Sequence, residues 1–338
     1  MKRSLFLAAM ATLAGTSAMA QSSVTIYGRL NESVERLKDG DTTTTQLVDN
    51  SSRIGFKGTE DLGGGLKAFF LIESGFSADT GRADGRGMWA RESNVGLEGS
   101  FGKVRLGNMG PTAAYFATAD YISMHNHDTG TSSDAFYYGA GANDFVLRNA
   151  IAYTSPTISG FSGEVQVGLK ETAAANTKNT LVLAGNYVGG PLHLGVAYVN
   201  APDDTVVTKT GKDTQFGLRG LYEMGPITVG AYYITDKLDD GAGTEAKRTI
   251  YRFSAMYAFG PNEVHANLGV AGKVKINGAS QDNTGAKQFT LGYNYNLSKR
   301  TKVYAFYTQV SNDDNAAYAV TNAGTKFSSF AAGVRHNF

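Results

Sequence analysis

The 338-residue sequence predicts an all-β chain: a 16-stranded antiparallel transmembrane β-barrel with an inward-folded third external loop. Three observations carry this expectation. Apolar and polar residues alternate with a period of two along segments of about ten residues, the pattern of a strand with lipid on one side and water on the other. Connections between the segments take turns between short and long. After the N-terminus, no stretch is apolar for the ~20 residues that a spanning helix needs. Composition agrees, with 42 glycines, six prolines and no cysteine. Glycine is well above its usual ~7%, as strands with many turns and bends require. Without cysteine there is no disulfide framework, thiolate metal site or catalytic thiol.

In chain order, Lys2 and Arg3 precede the apolar run Leu5 to Leu13, and Ala18-Met19-Ala20 stands before Gln21. This layout predicts a signal peptide over residues 1–20 and an exported barrel domain over 21–338. The whole chain has 31 basic and 30 acidic side chains, and loss of Lys2 and Arg3 brings the balance to about −1. A nearly neutral chain offers no general attraction for nucleic acid.

Alternation then repeats. Phe161, Gly163, Val165, Val167 and Leu169 oppose Ser162, Glu164, Gln166 and Lys170. Phe289, Leu291, Tyr293, Tyr295 and Leu297 oppose Gln288, Thr290, Asn294 and Asn296. Val264, Ala266, Leu268 and Val270 oppose His265, Asn267 and Lys273, while the last segment sets Phe330, Ala332, Val334, His336 and Phe338 on one face. Seven short connections fall at Asp61–Gly65, Phe101–Gly102, Pro156–Gly160, Gly189–Pro191, Gly225–Pro226, Gly260–Asn262 and Ser298–Arg300. Eight long polar ones are expected near 37–50, 77–90, 108–147, 170–180, 200–213, 235–247, 275–287 and 310–326. Fifteen connections join sixteen strands, and an even number with short periplasmic turns and longer external loops is the outer-membrane pattern. Both termini then lie on the periplasmic side.

The third long connection, 108–147, exceeds any ordinary turn, and loops of that length are usually functional. Tyr115, Phe116, Tyr121, Ile122, Phe136, Tyr137 and Tyr138 accompany Asp120, Asp128, Asp134 and Asp144. One side can pack while the other meets water, as expected of a loop folded into a barrel. Tyr187, Tyr222, Phe259, Phe161 and Phe338 cluster at short-turn ends, and Phe216, Tyr233, Tyr251 and Phe289 at long-loop ends. These are the two aromatic girdles of a membrane barrel.

Several segments together resemble one family. SVTIYG at Ser23–Gly28, SSRIGFKGTEDLGGGLKAFF at Ser51–Phe70 and NVGLEGSFGKVRLGN at Asn94–Asn108 are joined by YTSPTISGFSGEVQVGL at Tyr153–Leu169 and the terminal GVRHNF at Gly333–Phe338. They resemble the trimeric general-diffusion porins of Gram-negative outer membranes, in particular the betaproteobacterial type. The resemblance implies a homotrimer set among outer-membrane lipid and lipopolysaccharide. It also implies an eyelet made by the third loop, and Phe338 and its strand as the signal read by the barrel-assembly machinery. Asn108-Met109 and Leu71 depart from the family's pattern.

Alternation points Arg29, Arg53, Lys57 and Arg148 into the lumen, because Ile26, Ile54, Phe56, Ile151 and Tyr153 take the lipid side. The resemblance marks Arg53, Arg91 and Arg148 as an arginine cluster opposite Glu73 and an aspartate among Asp120, Asp128 and Asp134. Arg91 conflicts with strict alternation, which would put Val95 and Leu97 inward with it; either a bulge resets the phase or that strand faces a partner subunit.

No cofactor, metal site or enzyme activity is expected. Gly63-Gly64-Gly65 is a hairpin turn without the Lys-Ser/Thr of a phosphate loop. His125, His127 and Asp128 lack a third spaced metal ligand, and no nucleophile, base and orienter converge. The expected activity is passive diffusion of small hydrophilic solutes and ions, with a modest preference for small anions. The alternatives are a substrate-specific channel, or a barrel enzyme or adhesin whose loops do the work.

Overall fold

The computed structural model describes residues 23–110, 112–120, 130–137, 146–171, 178–202 and 211–338. The proposed signal peptide lies outside them. Sixteen wall strands follow one another around a closed antiparallel barrel. They are β1 (Ser23–Asp39), β2 (Thr42–Asp49 continued by Arg53–Gly63), β3 (Leu66–Ser77), β4 (Glu92–Gly99) and β5 (Gly102–Met109). β6 (Leu147–Thr154), β7 (Phe161–Gly168), β8 (Thr180–Gly189), β9 (Leu192–Pro202), β10 (Lys212–Met224) and β11 (Ile227–Asp239) form the middle of the wall. β12 (Glu245–Phe259), β13 (Asn262–Ala271), β14 (Ala286–Asn296), β15 (Thr301–Asn312) and β16 (Lys326–Asn337) complete it.

Closure comes from β16 on β1, in register from Arg29 against Asn337 to Asp39 against Phe327. Phe338 finishes the seam: its N–H donates to the Gly28 carbonyl and its carbonyl accepts from the Gly28 N–H, both at 3.1 Å. Its ring occupies the space above Gly28, where a Cβ would stand 2.4 Å from ring carbon Cζ. The expected assembly residue is thus also the last stitch of the wall.

Alternation reads through to burial. Val24, Ile26, Leu30 and Val34 are exposed on the outside of β1, while Asn31, Ser33 and Glu35 are buried inside. On β14, Phe289, Leu291, Tyr293 and Tyr295 are outside, and Gln288, Thr290 and Asn294 inside. The polar residues lie in the interior and the apolar ones outside, the reverse of a protein that packs its core away from water.

All seven short connections stand where expected. The long ones differ in kind. The segment over 37–50 is strand, with β1 and β2 paired from Asp39 against Thr42 onward and only Gly40–Asp41 at the turn. Between β11 and β12 only residues 240–244 are left outside the strands. Polar residues there alternate outside the membrane, where both faces of a hairpin meet water and hydropathy no longer marks a strand.

Besides the register shift at Asp61–Gly63 beside a short turn, two bulges interrupt the ladder. Residues 50–52 oppose only Leu30 and Asn31 of β1, with Ser51 at φ 61°. Arg148 and Asn149 oppose only Asn108 of β5, with Asn149 at φ 51°. Each adds one residue and re-aims its neighbours.

The third loop folds inward, as expected. Helix α1 (Ala113–Thr118) is capped by the Thr112 hydroxyl, which accepts from the Tyr115 N–H at 3.4 Å. It lies on the lumen side of β8 to β10, against Val182, Ala197 and Val199. Glycine makes the approach possible, since a Cβ at Gly195 would sit 1.8 Å from the Ala117 carbonyl oxygen. We therefore expect Gly195→Val to push α1 off the wall and alter single-channel conductance in planar bilayers. A conductance unchanged from wild type would show that α1 does not line the path of ions.

Candidate functional site

The inner wall holds most of the chemistry. On β3, Glu73 sits between two guanidinium groups: Arg91 Nε lies 2.7 Å from its Oε1, and Arg53 Nε lies 4.0 Å away. All three side chains are largely covered, at 11–16% exposure. The bulge before Arg53 sets its place beside the cross-strand Arg29, whose Nε donates to Asn337 Oδ1 at 3.0 Å. Lys57, four pairs further down β2, is exposed with its ammonium over the Tyr27 ring.

Arg91 resolves the phase conflict. It stands one residue before β4 begins, so the strand's alternation does not bind it. Within β4 the phase is ordinary: Val95 and Leu97 are exposed outside, and Asn94 is buried and donates to Glu92. Asn108, one of the family departures, donates to the Ala90 carbonyl at 3.1 Å and so holds the backbone just before Arg91. Leu71 lies opposite Lys57 on the strand that carries Glu73.

Arg148 lies in the bulge at Arg148-Asn149 and is exposed, next to Leu147, which is buried with Ala150 and Ala152. Arg105 bridges Glu92 at 3.4 Å and Glu164 at 2.5 Å.

Asp134, one of the three candidate loop aspartates, is held by Arg252. It is buried against the far wall, where Arg252 Nη1 donates to it at 2.9 Å and the Tyr232 hydroxyl also reaches it. Gln288 adds two bonds, donating to the Ser133 carbonyl at 2.8 Å and accepting from the Ala135 N–H at 3.0 Å. Beside this anchor Phe136 is fully buried among Ile234, Ile250, Val310 and Tyr318. Tyr115 and Tyr137 are also buried, whereas Phe116 is exposed. Arg219 Nη1 holds the C-terminal end of α1 through the Phe116 carbonyl at 2.9 Å. Asp120 receives the Tyr115 hydroxyl at 3.3 Å. Asp128, Asp144, Tyr121, Ile122, Tyr138, His125 and His127 lie outside the described residues.

In the loop after β3, Arg86 Nε is 3.0 Å from both oxygens of Asp84 and holds that carboxyl below the usual carboxylate range. The Asp84 N–H donates to the Gly75 carbonyl, next to Arg91.

A wall of paired cations and carboxylates around a lumen that a loop enters suits a selective water-filled channel. The family model described as Gram-negative porin matches residues 7–315. This chain belongs to the Gram-negative porin family. It is 31% identical to outer membrane porin protein 32 of Delftia acidovorans, with all of each chain covered. A major outer membrane protein P.IB of Neisseria meningitidis is 32% identical over 195 residues, 53% of this chain and 54% of that one. Among solved structures, the anion-selective porin from Comamonas acidovorans superposes with a TM-score of 0.80 at 25% identity, covering 94% of this chain and 100% of that one. The fold is shared by OmpT of Vibrio cholerae, at a TM-score of 0.72 and 18% identity. The porin therefore lies in the outer membrane.

Sequence reasoning missed Arg105, Arg219 and Arg252 in this porin. Each sits at an inward position of an alternating strand, so the period located them; what it lacked was a reason to prefer them. Breaking a buried ion pair leaves a charge uncompensated, typically at ~3–5 kcal/mol. Arg252→Met should therefore release the 130–137 segment and raise open-channel current noise, with little change in reversal potential. Noise at the wild-type level would mean that the Phe136 contacts hold the loop alone.

Proposed function

We propose that this porin passes small hydrophilic solutes and ions by passive diffusion, with a modest preference for anions. The observation that carries the preference is the Arg53–Glu73–Arg91 group, in which two guanidinium groups share one carboxylate. Arg29 and Lys57 stand on the adjacent inward positions. Arg105 is matched by Glu92 and Glu164. Of the charges named for this side of the lumen, Arg29, Arg53, Lys57, Arg91 and Arg105 outnumber Glu73, Glu92 and Glu164; Lys103 is matched by Glu98 at 3.5 Å, and Glu35 is bonded to Ser33, Thr131 and Ser329. Guanidinium keeps its charge at any workable pH and presents a fork suited to carboxylate or phosphate.

Magnitude decides that the preference is modest. Two unit charges 4 Å apart interact by ~4 kcal/mol at an effective dielectric of ~20. Glu73 therefore cancels most of one arginine locally, and the remaining excess acts over a Debye length of ~10 Å at 0.1 M salt. The printed description of the Comamonas acidovorans structure as an anion-selective porin supports this reading. So does Asp134 of the loop, which is bonded to Arg252.

The assembly is read as a homotrimer; one of the Vibrio cholerae OmpT structures is described as a trimer form. Outer-membrane lipid, lipopolysaccharide and the barrel-assembly machinery are its proposed partners. The activity is transport, with no catalytic step assigned to any residue. In SDS gels the purified protein should run as an oligomer until heated; a monomer under every mild condition would falsify the trimer.

Selectivity is tested by reversal potential in a KCl gradient across a planar bilayer. Wild type should favour chloride, more strongly in dilute salt. Arg53→Glu with Arg91→Glu should move the potential toward cation preference, while Arg148→Glu should move it less. An unmoved double variant rules out this group as the filter.

A further inference from the structure

The wall of β8 to β11 holds two kinds of glycine. Those facing the lumen make room for the third loop: a Cβ would meet Ala117 at Gly195, and would stand 2.7 Å from the Thr118 side chain at Gly217. Gly220, three residues along β10 from Gly217, faces the other way. Its φ is not positive, and a Cβ there would meet only Leu194 Cδ2 at 3.8 Å, an ordinary contact. Neither backbone conformation nor neighbouring chain explains why a mid-strand position on the lipid side lacks a side chain.

The space so left is continuous. In register, Tyr187 pairs with Leu194, Leu194 with Gly220, Gly220 with Ala231 and Ala231 with Phe253. Gly185 lies one outward position along from Tyr187 on β8. Gly185, Gly220 and Ala231 form the floor of a groove of about 710 Å³. Its banks are two ring pairs, Phe161 with Tyr187 at 4.5 Å and Tyr233 with Tyr251 at 5.4 Å. The nearest charge, Arg219, faces the lumen and is bonded to the Phe116 carbonyl.

We propose that this groove seats one acyl chain of an outer-membrane lipid. The occupant follows from the surroundings. The groove interrupts the lipid-facing belt of a membrane barrel, so hydrocarbon covers it, and no charged side chain projects into it to recognise a polar group. A narrow concavity with a small-residue floor and rigid ring banks fits a flexible methylene chain better than the broad face of a second barrel. Aromatic rings set at the edges can grip the chain by dispersion contacts along its length. The inference rests on the membrane location, not on the ion preference proposed above.

The test uses the full chain in vesicles of phosphatidylethanolamine and phosphatidylglycerol, doped with a phosphatidylethanolamine whose acyl chain carries a diazirine. After photolysis, adducts are mapped by mass spectrometry. In wild type, β9 and β10 should carry about fivefold more label per exposed residue than β13 and β14, a quarter of the way around the barrel. Gly220→Leu and Ala231→Leu fill the floor and should bring that label down to the level of β13 and β14, with heat-modifiable gel mobility and conductance as in wild type. Even labelling around the wild-type barrel overturns the proposal, as does enrichment that survives filling. Should a filled variant fail to fold, the wild-type distribution and the smaller Ala231→Val change decide, the latter by a partial fall in label. A change in oligomeric state on filling, with labelling unaltered, would assign the groove to a protein contact instead and overturn the acyl-chain seat.

Discussion

Everything in this porin depends on satisfying the backbone in a medium that offers it no water. An unpaired N–H or C=O in hydrocarbon costs several kcal/mol, so a sheet in the membrane must close on itself. Here the seam is the β1–β16 ladder, finished by the reciprocal bonds between Gly28 and Phe338. Closure then turns alternation into function. Once the ring is shut, each strand has a side that faces lipid and a side that faces a water-filled lumen, and every second residue is committed to the chemistry of the pore.

Within that frame the lumen is divided between two tasks. The wall of β1 to β5 and the residue just before β4 carry Arg29, Arg53, Lys57, Arg91 and Arg105, the group proposed to set the ion preference. The wall from β8 to β15 spends its polar groups on holding the loop: Arg219 on the Phe116 carbonyl, Arg252 and Tyr232 on Asp134, Gln288 on the backbone around Ser133 and Ala135. The anchor is partly apolar as well. Phe136, Tyr115 and Tyr137 join Ile234, Ile250, Val310 and Tyr318 in a small core inside the barrel, where each buried large side chain contributes ~1.5–3 kcal/mol. A charge that binds the loop is unavailable to the passing ion, which is why counting lumen charges does not measure selectivity.

The bulges explain where residue-level expectation and structure part. Inward facing of Arg53 and Lys57 was legible from Ile54 and Phe56, because no irregularity separates them. At Arg148-Asn149 one inserted residue shifts the register, and a one-residue slip exchanges the two faces of a strand. Nothing in the local sequence announces that slip. Asn149 is a residue type that tolerates the left-handed conformation, but asparagine is common in polar loops. Arg91 was rescued by the opposite circumstance, since it lies outside the strand whose phase would have turned it away.

The sequence by itself determined the export layout as an expectation, the alternating strands, their number, the seven tight turns, the aromatic ends and the loop that enters the barrel. These are properties of short periods and local turn chemistry, which each segment carries on its own. Only the tertiary structure decided that Asp134 belongs to Arg252, that Arg105 bridges Glu92 and Glu164, and that Gly195 and Gly220 are absent side chains for different reasons. Those facts are pairings across the barrel. They depend on register and on which loop reaches which wall, and no single stretch of chain contains both partners.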